Sequence, residues 1–355
     1  MKTKLLFGVL LAVVHASSAA VGSPEAKSAP YDNPPRKVLV GSVCRPFNGE
    51  PEQRAALVEK AVAELAGLAD KRYGGRRLDL VVLPEHCLGR PGRVAAEKTL
   101  PMDFVKKVIG GAAKRHGCYV AAGVFLMEVV GGKECPRNAL ALFDRKGELV
   151  GVYRKVHTAC NWDDPETALS ESGIAPGGDF PVFETDFGKV GFLICWDMSY
   201  ADGWAELKRK GAEIVGVSTM SPQVFRPSIF AHEHEYWVVT SSPRSQAAVI
   251  SPIGFPLASV ADGEVLLAEI DLSFVTLHWS ATLKGGQKFK DAFGEDAVGG
   301  IYRREEDNGV FWSNRPDKTI GQMIREMNIR PRDDEALRAE RVAKGNRVAE
   351  KGEFK

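Results

Sequence analysis

Three residue types able to transfer an acyl group stand at the ends of three apolar runs. Cys195 ends GKVGFLIC and precedes the polar stretch WDMSYADGW. Glu85 follows LVVLP in DLVVLPEHCLG, and Lys155 follows ELVGVYR, where Val152 alternates with Tyr153. A thiol is nucleophilic only as its thiolate, so Cys195 needs a base or a cationic neighbour. A carboxylate ending an apolar strand is rarely buried without a task or a partner, and desolvation there is expected to raise its pKa toward that of a useful general base. An ammonium group can stabilise the oxyanion that forms when a thiol attacks a carbonyl. Thiol, carboxylate and ammonium together suffice for amide cleavage through a thioester, the chemistry of a cysteine amidohydrolase.

Such groups meet only if the strands that carry them end at one rim, as in α/β sheets, where ligands gather at the carboxyl ends of strands. The chain has the elements for this. RKVLVGSVC, LDLVVLPE and YVAAGVFLMEV read as strands; EQRAALVEKAVAELAGLAD and MDFVKKVIGGAAKRHG carry apolar residues at helical spacing. NALALFDRKGELVGVYRK reads as a hairpin turning at Lys146 and Gly147, and PVFETDFGKVGFLICWD as a second turning at Gly188. WAELKRKGA and FRPSIFAHEHEYW are predicted helices around the strand EIVGVSTM, and VVTSS, QAAVISPIG, PLASV and EVLLAEIDL form a β-rich finish. Direct β-β connections mixed with β-α-β crossovers do not fit a doubly wound sheet. They fit two packed sheets with helices outside, a four-layer α-β-β-α sandwich. A helix starting near Ser199 or Tyr200 would point backbone N–H groups at a Cys195 thiolate.

The ends and the composition bound the setting. Lys2 and Lys4, the apolar run LLFGVLLAVV and the small residues HASSAAVGS make the three-part pattern of a signal peptide. Cleavage is expected near Ala19 or Ala20, with export to a periplasmic or extracellular location. The organisation is then residues 1–20 signal peptide, 21–35 linker, 36–282 catalytic domain and 283–355 a C-terminal extension read as a partly polar, solvated tail. Losing residues 1–20 removes two lysines and no acids from 47 basic and 46 acidic residues. That balance offers no footprint for nucleic acid or an anionic membrane, and no later run is long enough for a membrane span. Besides Cys195 there remain Cys44, Cys87, Cys118, Cys135 and Cys160, without a CxxC pair, so a zinc site is not expected. Cys44 and Cys118 read as small buried hydrophobes, and one bridge among Cys87, Cys135 and Cys160 is open.

The segments LPE, YRK and ICWD, in the order Glu85, Lys155, Cys195, resemble the catalytic signature of the nitrilase, or carbon-nitrogen hydrolase, superfamily over about residues 36–282. The resemblance implies an α-β-β-α sandwich that pairs into homodimers or higher homo-oligomers, no metal and no organic cofactor. It selects Lys155 over Arg154 as the inward cation. In ESGIAPG it assigns the family's second acidic residue to Glu171, with Glu166 as competitor. It places the nucleophile at Cys195, the base at Glu85, and the oxyanion between Lys155 and the backbone N–H of Trp196. Asp197 matches a family position and is expected to shape the turn. True nitrilases of the family show Trp-Glu after the cysteine, whereas Trp196 is followed here by Asp197, so a small amide or N-carbamoyl substrate is expected rather than a nitrile. Trp162, Trp196, Tyr200, Thr219 and Met220 are the expected pocket walls, compact and partly apolar.

Competing readings have their own features. A Cys-His hydrolase would use His86, His157, His232 or His234, but His232 and His234, two apart, do not share a helical face. An acyltransferase would pass the thioester to an amine, and exported relatives of that kind carry several membrane spans. A silent binding protein would have lost one of the three residues, and all three are present.

Overall fold

The computed structural model describes residues 29–159, 171, 173–278, 283–329 and 342–345. Residues 1–28, and with them the signal-peptide reading, lie outside the described residues, as do Cys160, Trp162 and Glu166.

In chain order, β1 (Lys37–Cys44) leads to α1 (Pro51–Tyr73) and β2 (Leu80–Val82). A short α2 (Ala95–Lys98) precedes α3 (Met102–Val105), which continues through a π turn at Lys106–Gly110 into α4 (Gly111–His116). Next come β3 (Tyr119–Val130), β4 (Lys133–Phe143), β5 (Leu149–Arg154), β6 (Val182–Glu184) and β7 (Lys189–Ile194). A 3-10 turn at Cys195–Ser199 passes to α5 (Ala201–Arg209), β8 (Ile214–Ser218), α6 (Phe225–His234), β9 (Trp237–Ser241), β10 (Ala247–Ile250), β11 (Pro256–Val260), β12 (Glu264–Asp271) and β13 (Phe274–His278). The chain then adds α7 (Gln287–Phe293), β14 (Val298–Arg303), β15 (Asn308–Ser313) and α8 (Ile320–Glu326).

Two six-stranded sheets result, in the orders β12-β1-β2-β3-β4-β5 and β11-β10-β9-β8-β7-β6. Each has a parallel centre, β1-β2-β3 and β7-β8-β9, flanked by antiparallel strands. Alternation along the strands decides which face each residue covers. Val38, Val40, Leu80, Val82 and Tyr153 join Val190, Phe192 and Ile194 in the core between the sheets. Leu39, Val43, Val81 and Val120 point the other way and pack on Val58, Val62, Leu65 and Ile109 of the helical layer. This is the expected α-β-β-α sandwich, with the expected hairpins turning at Gly147 and Gly188. Among the described residues no helix is long and apolar enough to cross a membrane.

The stretch read as a solvated tail is folded as far as Ile329. β13, β15 and β14 form a third, antiparallel sheet, which with α7 and α8 buries Val275, Leu277, Phe289, Phe311, Ile320, Met323 and Ile324 in a core of its own. Thr319 caps α8, its hydroxyl accepting from Gln322 N at 3.1 Å. The apolar residues here are sparse and the linking segments charged and Gly-rich, so no periodic signal stands out. They pack because β13, still within the stretch assigned to the main domain, supplies the first strand.

Candidate active site

Parallel register brings the first contact about. Ile194 of β7 is level with Ser218 of β8, so the next residues, Cys195 and Thr219, lie side by side. The Thr219 hydroxyl and the Met220 N–H both act to lower the pKa of the thiol. The Met220 N–H donates to Glu85 Oε2 at 2.9 Å, which brings the carboxylate of one sheet to the strand end of the other.

Glu85 reaches this point from the end of β2, in a turn that crosses β3 closely. A Cβ on Gly123 would lie 2.6 Å from the Pro84 carbonyl oxygen and 2.8 Å from Glu85 Cα, so this crossing requires glycine. Lys155 arrives from the end of β5, its backbone N–H donating to the Asn138 carbonyl at 2.9 Å. Its Nζ donates to Glu85 Oε1 at 3.0 Å and Glu171 Oε2 at 2.6 Å. The Glu85 and Lys155 side chains are each 1% exposed. Asn138 completes the cluster: its Nδ2 donates to Glu85 Oε1 at 2.7 Å and approaches Glu171 Oε1 at 3.3 Å and His86 Nε2 at 3.1 Å. Because the two carboxylates can only accept, the amide nitrogen is the end that faces them.

The electrostatics differ from expectation at Glu85. Burial pushes its carboxyl up, but the Lys155 ammonium, His86 and hydrogen bonds from Asn138 and Lys155 outweigh burial and hold it below the ordinary value of 4.5. Burial would lower Lys155, yet Glu85, Glu171 and Cys195 hold it above the usual lysine range. Burial and the Glu85 charge push the Cys195 thiol up to about 11, against the opposing effects of Lys155, Thr219 and Met220. At neutral pH the pair therefore rests as thiol and carboxylate, and the sulfur can lose its proton to Glu85 only as it bonds to carbon. Burial lowers His86 below its ordinary value.

Cys195 has φ 45°, a left-handed conformation that costs a non-glycine residue about 1–3 kcal/mol. Asp197 secures it. Oδ2 accepts from Ile194 N at 2.9 Å and Tyr153 Oη at 2.6 Å, and Oδ1 from His157 N at 2.7 Å. Asp197 thus ties the turn to the end of β5. The 3-10 turn begins at Cys195 itself, and the α-helix follows at Ala201.

Of the expected pocket walls, Met220 is 40% exposed and Thr219 is buried beside the thiol. Tyr200 departs from expectation: its ring stacks on His157 at 4.1 Å and its hydroxyl accepts from Trp196 Nε1 at 3.1 Å, away from the cavity at Glu85. That cavity, of about 220 Å³, is bordered by Phe47, Arg54, His86, Arg90, Lys98, Phe125 and Met220. Neither its three cations nor Asn138 was picked out from the sequence. Asn138 had one signal, an amide opening the otherwise apolar strand segment NALALF. Among the described residues one group, Glu85, His86 and Glu171, could offer three ligand atoms to a metal, but the Lys155 ammonium already lies between the two carboxylates. Cys44, Cys87, Cys118, Cys135 and Cys195 are free thiols, and burial pushes Cys87 and Cys118 up to about 12.

The family model for carbon-nitrogen hydrolases matches residues 40–277. The chain is 28% identical over 246 residues to a zebrafish (Danio rerio) protein named omega-amidase NIT2, covering 61% of this chain and 86% of the relative. Its fold is similar to Saccharomyces cerevisiae Nit3, a member of branch 10 of the nitrilase superfamily, with TM-score 0.55, 19% identity, and 73% and 94% of the two chains covered. It is also similar to a carbon-nitrogen hydrolase from Helicobacter pylori, with TM-score 0.53, 20% identity, and 67% and 90% covered.

Proposed function

Because the chain belongs to the carbon-nitrogen hydrolase family and so acts on carbon-nitrogen bonds other than peptide bonds, we propose that it cleaves a small amide or N-carbamoyl compound through a thioester on Cys195. The observation that carries this reading is that Glu85 Oε2 accepts from the Met220 N–H at 2.9 Å, one residue past Thr219, which the β7–β8 register sets beside Cys195, so an ionised carboxylate stands near the nucleophile. Cys195 Sγ attacks the carbonyl carbon as its proton passes to Glu85. The oxyanion is met by the third N–H of Lys155, whose other two are engaged by Glu85 and Glu171, and by the Trp196 N–H. As the carbon-nitrogen bond breaks, Glu85 returns the proton to the departing ammonia or amine. Water then attacks the thioester, losing a proton to Glu85; the carbon-sulfur bond breaks, the sulfur regains the proton and the acid leaves. Glu171 and Asn138 position Lys155 and Glu85.

The omega-amidase name of the zebrafish relative and the Asp197 that follows Trp196 favour amides over nitriles. Export rests on the Lys2 to Ser23 pattern, and fractionation of cells with mass analysis of the mature N-terminus tests it. Self-association is supported by Phe225 and Ile229, 77% and 44% exposed and four apart on α6, and light scattering of the purified protein tests it. The decisive experiment on chemistry is mass spectrometry after trapping with an amide panel. An acyl mass on Cys195, absent in Cys195→Ala, is expected; no adduct and no turnover from folded protein would sink the reading.

A further inference from the structure

Glu171 holds the Lys155 ammonium at 2.6 Å, yet it belongs to no strand of either sheet, so the segment that carries it must be fastened by other means. The fastening lies along β4 and the end of β5. Ala175 N–H donates to the Pro136 carbonyl and Gly177 N–H to the Lys155 carbonyl, both at 2.8 Å. Gly177 passes so close to β5 that a Cβ there would overlap the Arg154 carbonyl oxygen. Ile174, 2% exposed, packs with Ala95 and Phe125, and Phe125 borders the cavity beside Glu85.

A charge network secures the same segment from the other face of the sheet. Successive side chains of a strand point to opposite faces. Asn138 and Lys155 face Glu85, so their neighbours Arg137 and Arg154 face away from it. There Glu128 of β3 joins the two: Oε2 accepts from Arg137 Nε at 3.0 Å and Oε1 from Arg154 Nε at 2.7 Å. Burial pushes the Glu128 carboxyl up, but the Arg154 and Arg137 guanidinium groups outweigh it and hold it below its ordinary value. Arg137 then turns Nη1 on the segment, donating to the Ala175 carbonyl at 2.9 Å and the Pro176 carbonyl at 2.5 Å. Its side chain is 12% exposed, so these bonds compete little with water. The planar fork divides its donors between Glu128 and two backbone carbonyls, which a single ammonium group does not reproduce.

We propose that Arg137 is a positioning residue for the hydrolysis: by gripping Ala175 and Pro176 it presses Glu171 onto Lys155 and so aims the ammonium group that meets the oxyanion. The proposal rests on the roles of Lys155 and Glu171 given above. An Arg137 that served the fold alone would act independently of Glu171, whereas a positioning Arg137 loses its effect once the Glu171 charge is gone.

The test assays Arg137→Met, Glu171→Gln and the double variant for ammonia release from propanamide, succinamide and N-carbamoylglycine, with kcat and KM taken on the compound that the native protein turns over fastest. Each single substitution should lower kcat about tenfold, roughly the worth of one charge-assisted hydrogen bond, and leave KM within about twofold. The double variant should fall no more than about twofold below the lower single variant, because both changes remove the same restraint. Gly177→Ala, which disturbs the segment while leaving Arg137 and Glu128 in place, should behave like Arg137→Met. Hydrogen exchange at the Ala175 and Gly177 amides reads the grip without turnover and should quicken at least about tenfold in Arg137→Met. Losses that multiply in the double variant, or amides that exchange as in the native protein, would overturn the proposal. Quickened exchange in Arg137→Met with kcat unmoved by Glu171→Gln supports Arg137 as the holder of the segment and refutes instead the role given to Glu171.

Discussion

Replacing Lys155 with methionine removes a charge while keeping much of the volume, and the structure gives the size of the effect. Nζ lies 3.0 Å from Glu85 and 2.6 Å from Glu171, with the lysine side chain 1% exposed. At an effective dielectric constant of about 20, each contact is worth roughly 5 to 6 kcal/mol of gross attraction. Desolvation of three charged groups offsets much of this, so breaking the cluster should cost about 3–5 kcal/mol of stability. The variant also leaves carboxylate oxygens of Glu85 and Glu171 within 4.8 Å of each other, a repulsion of about 3.5 kcal/mol. Burial, the largest influence on Glu85, then acts unopposed by the ammonium, and one of the two carboxyls should keep its proton.

The sign of the pH dependence follows. In the native protein Glu85 is depressed below 4.5, so its contribution is present above 4.5 and lost as pH falls through the folded pKa. In Lys155→Met the folded pKa is raised, so stability is highest below the unfolded value and declines as pH rises through the folded one. Urea unfolding at about pH 5.5 and about pH 8 reads this as a variant more stable at the lower pH. Adding Glu171→Gln should recover part of the loss at the higher pH, because it removes one of the repelling charges. A loss under about 1 kcal/mol at the higher pH, or a variant that gains stability with rising pH, would refute the claim that Lys155 neutralises a buried carboxylate pair.

Three further outcomes are expected. Gly123→Ala places a methyl group 2.6 Å from the Pro84 carbonyl and should lower kcat by about 100-fold through displacement of Glu85; wild-type activity with an unchanged circular dichroism spectrum would contradict it. With Glu85 below 4.5 and Cys195 at about 11, the kcat/KM profile should stay flat across neutral pH and fall on the acid side only below about 4.5. A limb near neutrality in that profile would show that another group controls the proton. Phe289→Ala, at a position with no exposure, should destabilise the C-terminal sheet by about 3–5 kcal/mol, and a loss under about 1 kcal/mol in hydrogen exchange of β13 to β15 would return that segment to a loosely attached extension.

Much of the frame is legible because it depends on local patterning. Val38 and Val40 alternate with Leu39, so both faces of β1 announce themselves as buried, and the apolar runs ending at Glu85, Lys155 and Cys195 mark strand ends where chemistry collects. The turn at Gly147 and the residues of α1 are likewise set by the chain's own φ preferences and helical spacing. The C-terminal sheet is not legible in this way. Phe289, Phe311 and Ile324 are too far apart for a period and become a core only when β13 supplies an edge on which to build.

The same division holds at the site. The residue types of Glu85, Lys155 and Cys195 limit the chemistry to what a carboxylate, an ammonium and a thiol can do, and their places at strand ends already suggest a meeting. Whether Glu85 titrates above or below its ordinary value depends on the charge of Lys155, seventy residues away, and on the hydrogen bond from Asn138. Arg54 comes from α1, Arg90 from the loop beyond β2 and Lys98 from the end of α2. No spacing in the chain foretells that these three border one cavity, because an electrostatic field sums over distances in space, and only the packing of the two sheets and their helices fixes those distances.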